Sequence, residues 1–116
     1  MKIKDFIAQN NIGIFVKADI KNKIFDIKKM DLELESYDLF NQLVLFGSVE
    51  GLVESVTGQL MPKTWRQGNT RCVICQPNEE ILILLFYDSE MDVMENYTYA
   101  EQLDLQLKKY FNYVSI

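Results

Sequence analysis

Two cysteines three positions apart, Cys72 and Cys75, are the first residues whose spacing suggests chemistry. A C-x-x-C pair is a redox centre when its first cysteine lies at a helix N-terminus, where the helix dipole lowers the thiol pKa. Here Val73 and Ile74, both strand formers, separate the cysteines, so the two thiols are expected to point to opposite faces of a strand. Structural zinc needs four ligands, and the chain has no second cysteine pair. We therefore predict two small, buried, reduced thiols and no metal site.

Histidine is absent from all 116 residues of the chain. Its absence excludes Ser-His and Cys-His nucleophile pairs and removes the usual acid–base group near neutral pH. An enzyme would have to use other groups, and Asp88, Glu90 and Asp92 are the carboxylates that we consider for this role. They do not form an EF-hand calcium loop, because Val93 occupies the position that requires glycine. A solvated acidic loop is the preferred interpretation, and we predict no catalytic and no cofactor-binding residue.

The segment from residue 61 to residue 69 contains the only tryptophan, Trp65, beside a turn in a stretch without acidic residues. Lys63 and Arg66 flank this tryptophan, and Arg71 follows shortly after. Tryptophan and arginine are the residue types most enriched at the energetic centres of protein interfaces. In the other interpretation, Trp65 is a buried side chain that packs on the sheet, and Arg66 is solvated on the opposite face. We predict Lys63, Trp65, Arg66 and Arg71 as partner-binding residues.

The net charge of −5 is unevenly distributed along the chain. Residues 1–30 carry a net +4, residues 31–54 carry −6, residues 55–78 carry +3 and residues 79–116 carry −6. Wholesale attraction to nucleic acid or to an anionic membrane is therefore not expected. The alternation predicts surfaces of opposite sign, which can steer a protein partner or let identical copies associate.

The composition, with 48% hydrophobic and 25% charged residues, is that of a globular protein. We expect one domain over residues 1–116, because no linker or repeat interrupts the chain. Charged residues interrupt the first positions before an apolar signal region forms, and no stretch approaches the roughly 20 apolar residues that span a bilayer. These features and the reduced thiols predict a cytoplasmic protein.

Hydrophobic periodicity predicts the elements that position these residues. A short amphipathic helix is expected around Ile3 to Ile7, and a broken helix or two short ones over 36–57, with Ser36 as N-cap and Gly58 after the last turn. The capping-box pattern from Thr98 to Glu101 predicts the start of a final helix. Period-2 alternation and turn residues predict strands at 12–19, at 24–27 with an extension to 34, and at 60–66, 70–76 and 81–87, with turns at 21–23, 68–69 and 77–78.

The predicted order is α-β-β-α-β-β-β-α, an α+β fold with a single antiparallel sheet of about five strands flanked by helices. In this order the chain resembles the roadblock/LC7 family and its longin and profilin-like relatives. The segment from Ile14 to Asp19 and on through Ile24 is similar to the opening hairpin of that family, although its turn lacks the usual glycine. The resemblance implies a five-stranded antiparallel sheet with a long helix on one face and terminal helices on the other. It also implies a dimeric adaptor without an active site.

The leading functional hypothesis is a non-enzymatic interaction module that forms a homodimer and binds a protein partner in the cytoplasm. No metal, cofactor, nucleic acid or membrane is expected. The alternative is a small acidic protein that binds one specific client, either an immunity protein that neutralises a toxin or a secretion chaperone. The third hypothesis is an enzyme that uses Asp88, Glu90 and Asp92.

Overall fold

A computed structural model describes the backbone of residues 2–114 and the side chains of residues 2–111. Its five strands form one antiparallel sheet in the order β2-β1-β5-β4-β3, so that β2 and β3 are the edge strands. The strand bounds are β1 Ile14–Asp19, β2 Ile24–Lys29, β3 Lys63–Gln67, β4 Thr70–Asn78 and β5 Ile81–Asp88. The helical segments are α1 Ile3–Gln9, α2 Asp38–Phe40, a π-helical segment Asn41–Leu45, α3 Val49–Val56 and α4 Val93–Val114.

The central strand, β5, separates two hydrophobic cores. Leu82, Leu84 and Phe86 of β5 belong to the α3-side core, which joins the sheet to α2, the π-helical segment and α3. Ile83 and Leu85 belong to the α4-side core, which joins the opposite face to α1 and α4. Successive strand residues point to opposite faces, so a continuous apolar strand supplies both cores. The predicted α+β class and single five-stranded antiparallel sheet are confirmed. The terminal helices α1 and α4 share one face, but the other face carries short helical segments instead of the one long helix that the roadblock/LC7 resemblance implies.

The middle helical region consists of two short pieces, as one of the predicted alternatives had it. Ser48 caps α3 through its hydroxyl, which accepts a hydrogen bond from the Gly51 amide at 3.0 Å. Gly58 follows the end of α3 with φ of +76°, a backbone conformation that glycine adopts without steric cost. The Ser36 hydroxyl accepts a hydrogen bond from the Asp38 amide at 3.2 Å, although Tyr37 is the residue that immediately precedes α2.

The predicted extension of β2 to residue 34 is wrong, because β2 ends at Lys29. Lys29 pairs with Ile14, the first residue of β1, and the Met30 amide donates one further bond to the Gly13 carbonyl at 2.9 Å, so β1 has no residue left to continue the ladder. The chain then turns across the sheet, and Leu34 enters the α3-side core. Gly13 permits this close approach, since a Cβ atom there would lie 2.8 Å from the Leu34 side chain.

The predicted start of the last helix at Thr98 is also wrong, because α4 begins at Val93. The capping box is formed by Asp92 and Glu95: the Glu95 amide donates to Asp92 Oδ1 at 2.8 Å, and the Asp92 amide donates to Glu95 Oε1 at 3.3 Å. Thr98 lies inside the helix, where its hydroxyl donates to the Met94 carbonyl. Residues 93–97, which the predicted start left outside the helix, therefore form the first turn of α4.

The turn between β4 and β5 is formed by Glu79 and Glu80 rather than by Pro77 and Asn78. Pro77 lies within β4, at an irregularity of the ladder between Cys75 and Asn78. Proline has no amide hydrogen for the ladder, so it is tolerated where the regular pairing is interrupted. Among residues 2–114, no helix is long and apolar enough to cross a membrane.

Candidate interaction surface on the edge strand

The four predicted partner-binding residues lie on β3 and β4 at one edge of the sheet. Lys63 and Trp65 are on the α3 side of β3, where Trp65 packs against the α3-side core and pairs with Cys72 across the ladder. Arg66 and Arg71 are on the α4 side and occupy directly opposite ladder positions. The structure therefore brings the four residues to one edge but divides them between the two faces of the sheet.

Trp65 is half-buried, which answers the question that its sequence position leaves open. One part of the indole contacts the α3-side core, and the remainder is accessible to solvent. The Lys63 ammonium lies 5.2 Å from the centre of the ring, within the range of a cation–π interaction. A rigid aromatic side chain with an open face can contribute much of the energy of an interface.

Arg66 is exposed, and its Nε donates to the Gly68 carbonyl at 2.6 Å. This bond holds the side chain over the β3–β4 turn. Gly68 closes that turn with φ of +61°, in the left-handed region. Since like charges directly opposite on neighbouring strands are unfavourable, Arg66 and Arg71 destabilise each other in the absence of an anion.

Arg71 is buried, with 3% of its surface exposed. One of its terminal nitrogens, Nη2, donates to the Met91 carbonyl, whereas its Nε has no acceptor among the described residues. The ion pairs within the part of the chain that the structure describes are Lys23 with Glu50 and Lys108 with Asp104, and neither includes Arg71. A buried guanidinium without a carboxylate contact is unusual, because desolvation of a charge is costly unless the charge is compensated.

A cavity of about 200 Å³ lies between this arginine pair and the first turn of α4. We call it the Arg71 cavity; its lining residues are Thr64, Arg66, Arg71, Val93, Asn96 and Tyr97. Asn96 is buried, and its Oδ1 accepts a hydrogen bond from the Tyr87 hydroxyl at 2.7 Å. Burial raises the pKa of Tyr87, so the phenol keeps its proton and remains the donor of this bond. The side-chain amide nitrogen of Asn96 is therefore left as a donor.

Two of the three carboxylates considered for catalysis have structural roles. Asp88 accepts hydrogen bonds from the Thr70 hydroxyl at 2.5 Å and from the Glu35 amide at 2.9 Å. The second bond attaches the segment that follows β2 to the end of β5. Asp92 caps α4, and the hydrogen bond from the Glu95 amide holds the pKa of Asp92 below its usual value. Glu90 is exposed. Within residues 2–111, no three cysteine or carboxylate groups cluster in a way that could hold a metal ion.

The two cysteines are free and buried, and they lie in different cores. Cys72 faces α3 and Cys75 faces α4, so the predicted division between opposite faces is confirmed. Burial raises the pKa of both thiols, which keeps them in the unreactive protonated form at neutral pH.

Sequence reasoning missed the α4 side of the cavity, namely Val93, Asn96 and Tyr97. The available signal was the pair Asp92 and Glu95, which has the spacing of a capping box. A helix that begins after Asp92 would have been predicted to carry these three residues in its first turns.

Comparison with known proteins gives a distant structural likeness. No protein-family model matches the chain, and no curated protein sequence matches it. Among solved structures, the chain is similar to Myxococcus xanthus MglB, with 10% sequence identity over 91% of this chain and 88% of that chain and a TM-score of 0.49.

Proposed function

We propose that this chain is a non-enzymatic interaction module that forms a homodimer and binds a protein partner in the cytoplasm. The observation that carries the proposal is the open edge of β3, which presents a half-exposed Trp65 next to an exposed Arg66. Across the Arg71 cavity, Val93 and Tyr97 of α4 are 71% and 55% exposed. We call Lys63, Trp65, Arg66, Val93 and Tyr97 the edge surface.

The chemistry of the edge surface suits a polypeptide partner. An edge strand leaves one row of backbone amides and carbonyls unpaired, and an extended segment of a partner can pair with that row. Trp65, Tyr97 and Arg66 then supply the aromatic and arginine contacts that dominate binding energy at protein interfaces. Lys63 and Arg66 make this edge basic in a chain whose net charge is −5, which favours an acidic partner segment.

Self-association is supported by large apolar side chains that the single chain leaves in water. Phe46 is 86% exposed and Leu60 is 94% exposed. Phe46 directly follows the π-helical segment, and Leu60 lies between α3 and β3. Burial of such side chains between two copies would recover roughly 1.5–3 kcal/mol for each one that becomes fully buried. Sedimentation velocity from micromolar to submillimolar concentration tests this part of the proposal, and a species that stays monomeric throughout would contradict it.

The partner-binding part is tested by changing Trp65→Ala and Arg66→Glu together. Both changes are at half-buried or exposed positions, so the circular dichroism spectrum should persist while capture of a partner from the native host is lost. The matched control is Ile27→Ala with Lys28→Glu, which removes one apolar and one basic side chain from the opposite edge strand. Capture that survives the β3 changes, or that is lost equally with the β2 control, would refute the assignment of the surface.

A further inference from the structure

We infer that the Arg71 cavity binds one carboxylate group of the partner, an aspartate or glutamate side chain next to an apolar residue. This inference rests on the proposed function, since it assigns a chemistry to part of the same surface. The guanidinium groups of Arg66 and Arg71 and the free amide nitrogen of Asn96 are all donors, and the Thr64 hydroxyl can donate as well. A site that offers chiefly donors and positive charge selects an anion.

The buried guanidinium of Arg71 is the strongest element of the argument. Arg71 has 3% of its surface exposed. Among residues 2–111 it forms no ion pair with a carboxylate, and its buried Nε has no acceptor. The nearby carboxylate of Asp92 is engaged with the Glu95 amide, and Arg71 contributes only weakly to the lowered pKa of Asp92. The charge of Arg71 is therefore left for a group that enters the cavity.

Arg66 adds a second cation on the same side of the sheet. Its Nε is bonded to the Gly68 carbonyl, which leaves its terminal nitrogens available. An anion between Arg66 and Arg71 would convert a repulsive cross-strand pair into a bridged one. The two arginines belong to neighbouring strands with a fixed register, so their separation does not depend on a flexible loop.

The size and the walls of the cavity indicate the class of anion. Its volume of about 200 Å³ far exceeds the space for one water, and it accommodates a carboxylate with its adjoining methylene groups. The exposed side chains of Val93 and Tyr97 provide an apolar wall for that aliphatic part. The segment 88–95 beside the cavity carries four carboxylates, Asp88, Glu90, Asp92 and Glu95. This field opposes a phosphate dianion more strongly than a carboxylate monoanion.

The test uses isovalerate, a branched carboxylate, as the probe, with the neutral isostere isovaleramide and inorganic phosphate as comparisons. The arginine Nε–Hε and asparagine side-chain amide signals are followed by nuclear magnetic resonance at constant ionic strength. Isovalerate should shift the signals of Arg71 and Asn96 saturably, isovaleramide should not, and phosphate should bind more weakly. The Arg66→Gln variant should lower the affinity for isovalerate roughly five- to tenfold, because it removes one solvent-exposed, charge-assisted hydrogen bond. Lys28→Gln, at an exposed position on the other edge strand, should leave the affinity unchanged.

Three results would overturn the inference: no saturable shift with isovalerate, equal shifts with isovaleramide, or tighter binding of phosphate. The Nε–Hε signal of Arg71 is followed with isovalerate in both the Arg66→Gln variant and the unchanged chain. No Arg71 variant is required, so the conclusion does not depend on whether such a variant folds. If Trp65→Ala alone abolishes partner capture while isovalerate fails to bind, the proposed function stands and the carboxylate assignment falls. If isovalerate binds but the double variant Trp65→Ala, Arg66→Glu still captures its partner, the edge surface is not the partner-binding surface.

Discussion

Replacing Arg71 by methionine tests whether this buried cation lowers the stability of the fold. Methionine has a similar length and fills the same space with an unbranched apolar chain. The change removes the guanidinium of a residue that is 3% exposed, whose Nε has no acceptor among the described residues. It also removes the repulsion from Arg66, which lies directly opposite on β3.

The magnitude follows from three contributions. An unsatisfied buried donor costs about 1–3 kcal/mol, and a like charge directly opposite costs roughly 0.2–1 kcal/mol. Against these gains, the bond to the Met91 carbonyl is lost, and a hydrogen bond from a charged donor contributes about 1.5–3 kcal/mol. That loss falls at the lower end of the range, because Met91 is partly exposed and water can replace the donor. The expected result is a gain of about 1 kcal/mol, or roughly 4 °C in Tm for a domain of this size.

The assay is urea unfolding followed by circular dichroism, in a chloride buffer without carboxylate or phosphate ions. Lys28→Met is the matched control: it removes one positive charge from an exposed position on the other edge strand, and should change the free energy of unfolding by less than about 0.5 kcal/mol. A loss of more than about 1 kcal/mol in Arg71→Met would refute the reasoning. It would mean that the guanidinium is a satisfied structural group, and the argument for an anion in the cavity would lose its basis.

Three further predictions concern the fold. Phe86→Ala should lower the free energy of unfolding by about 3–5 kcal/mol, because its fully buried ring leaves a cavity; a loss below about 1 kcal/mol in urea unfolding would contradict the packing. Asp92→Ala should lower Tm more than Thr98→Ala, and equal effects would contradict the observed start of α4. Since the pKa of Asp92 is lowered in the folded state, its stabilisation is fully present above its ordinary value of 3.8 and is lost as pH falls through the folded value. Thiol reagents should label Cys72 and Cys75 only after unfolding in urea, and rapid labelling of the native protein would contradict their burial.

The elements that could be predicted from the sequence are those whose pattern is local. The apolar run of β5 requires burial on both faces, and only a central strand provides this. The strand-forming residues between Cys72 and Cys75 were enough to place the two thiols on opposite faces. Gly58 was recognisable as the residue that follows a helix, because its positive φ is one that other residues adopt with difficulty.

The errors occurred where a remote part of the chain decides the outcome. The alternation after Lys29 continues in the sequence, but β1 supplies no further partner, so β2 ends there. Asp92 and Thr98 both begin a capping-box pattern, and the sequence contains no local reason to prefer one. The earlier start allows Asn96 to reach the Tyr87 hydroxyl in the α4-side core, a contact that depends on how the helix packs on the sheet.

The candidate site was predictable only in part for the same reason. Arg66 and Arg71 were selected by their type and by their position in a stretch without acids. The α4 wall of the cavity comes from residues more than 20 positions later in the sequence, and only the packing of α4 on β4 brings it beside the arginines. Burial of Arg71 likewise follows from that packing and not from its neighbours in the sequence.

The sheet separates two hydrophobic cores, so adjacent residues of β3 pack against different helices. Trp65 is constrained by the helices on one side and Arg66 by the helix on the other. Mutations that reshape the aromatic contact can therefore accumulate without disturbing the charged one, and the reverse also holds. Substitutions at Trp65 would then change mainly the affinity for a partner, whereas substitutions at Arg66 would change mainly which partner is bound.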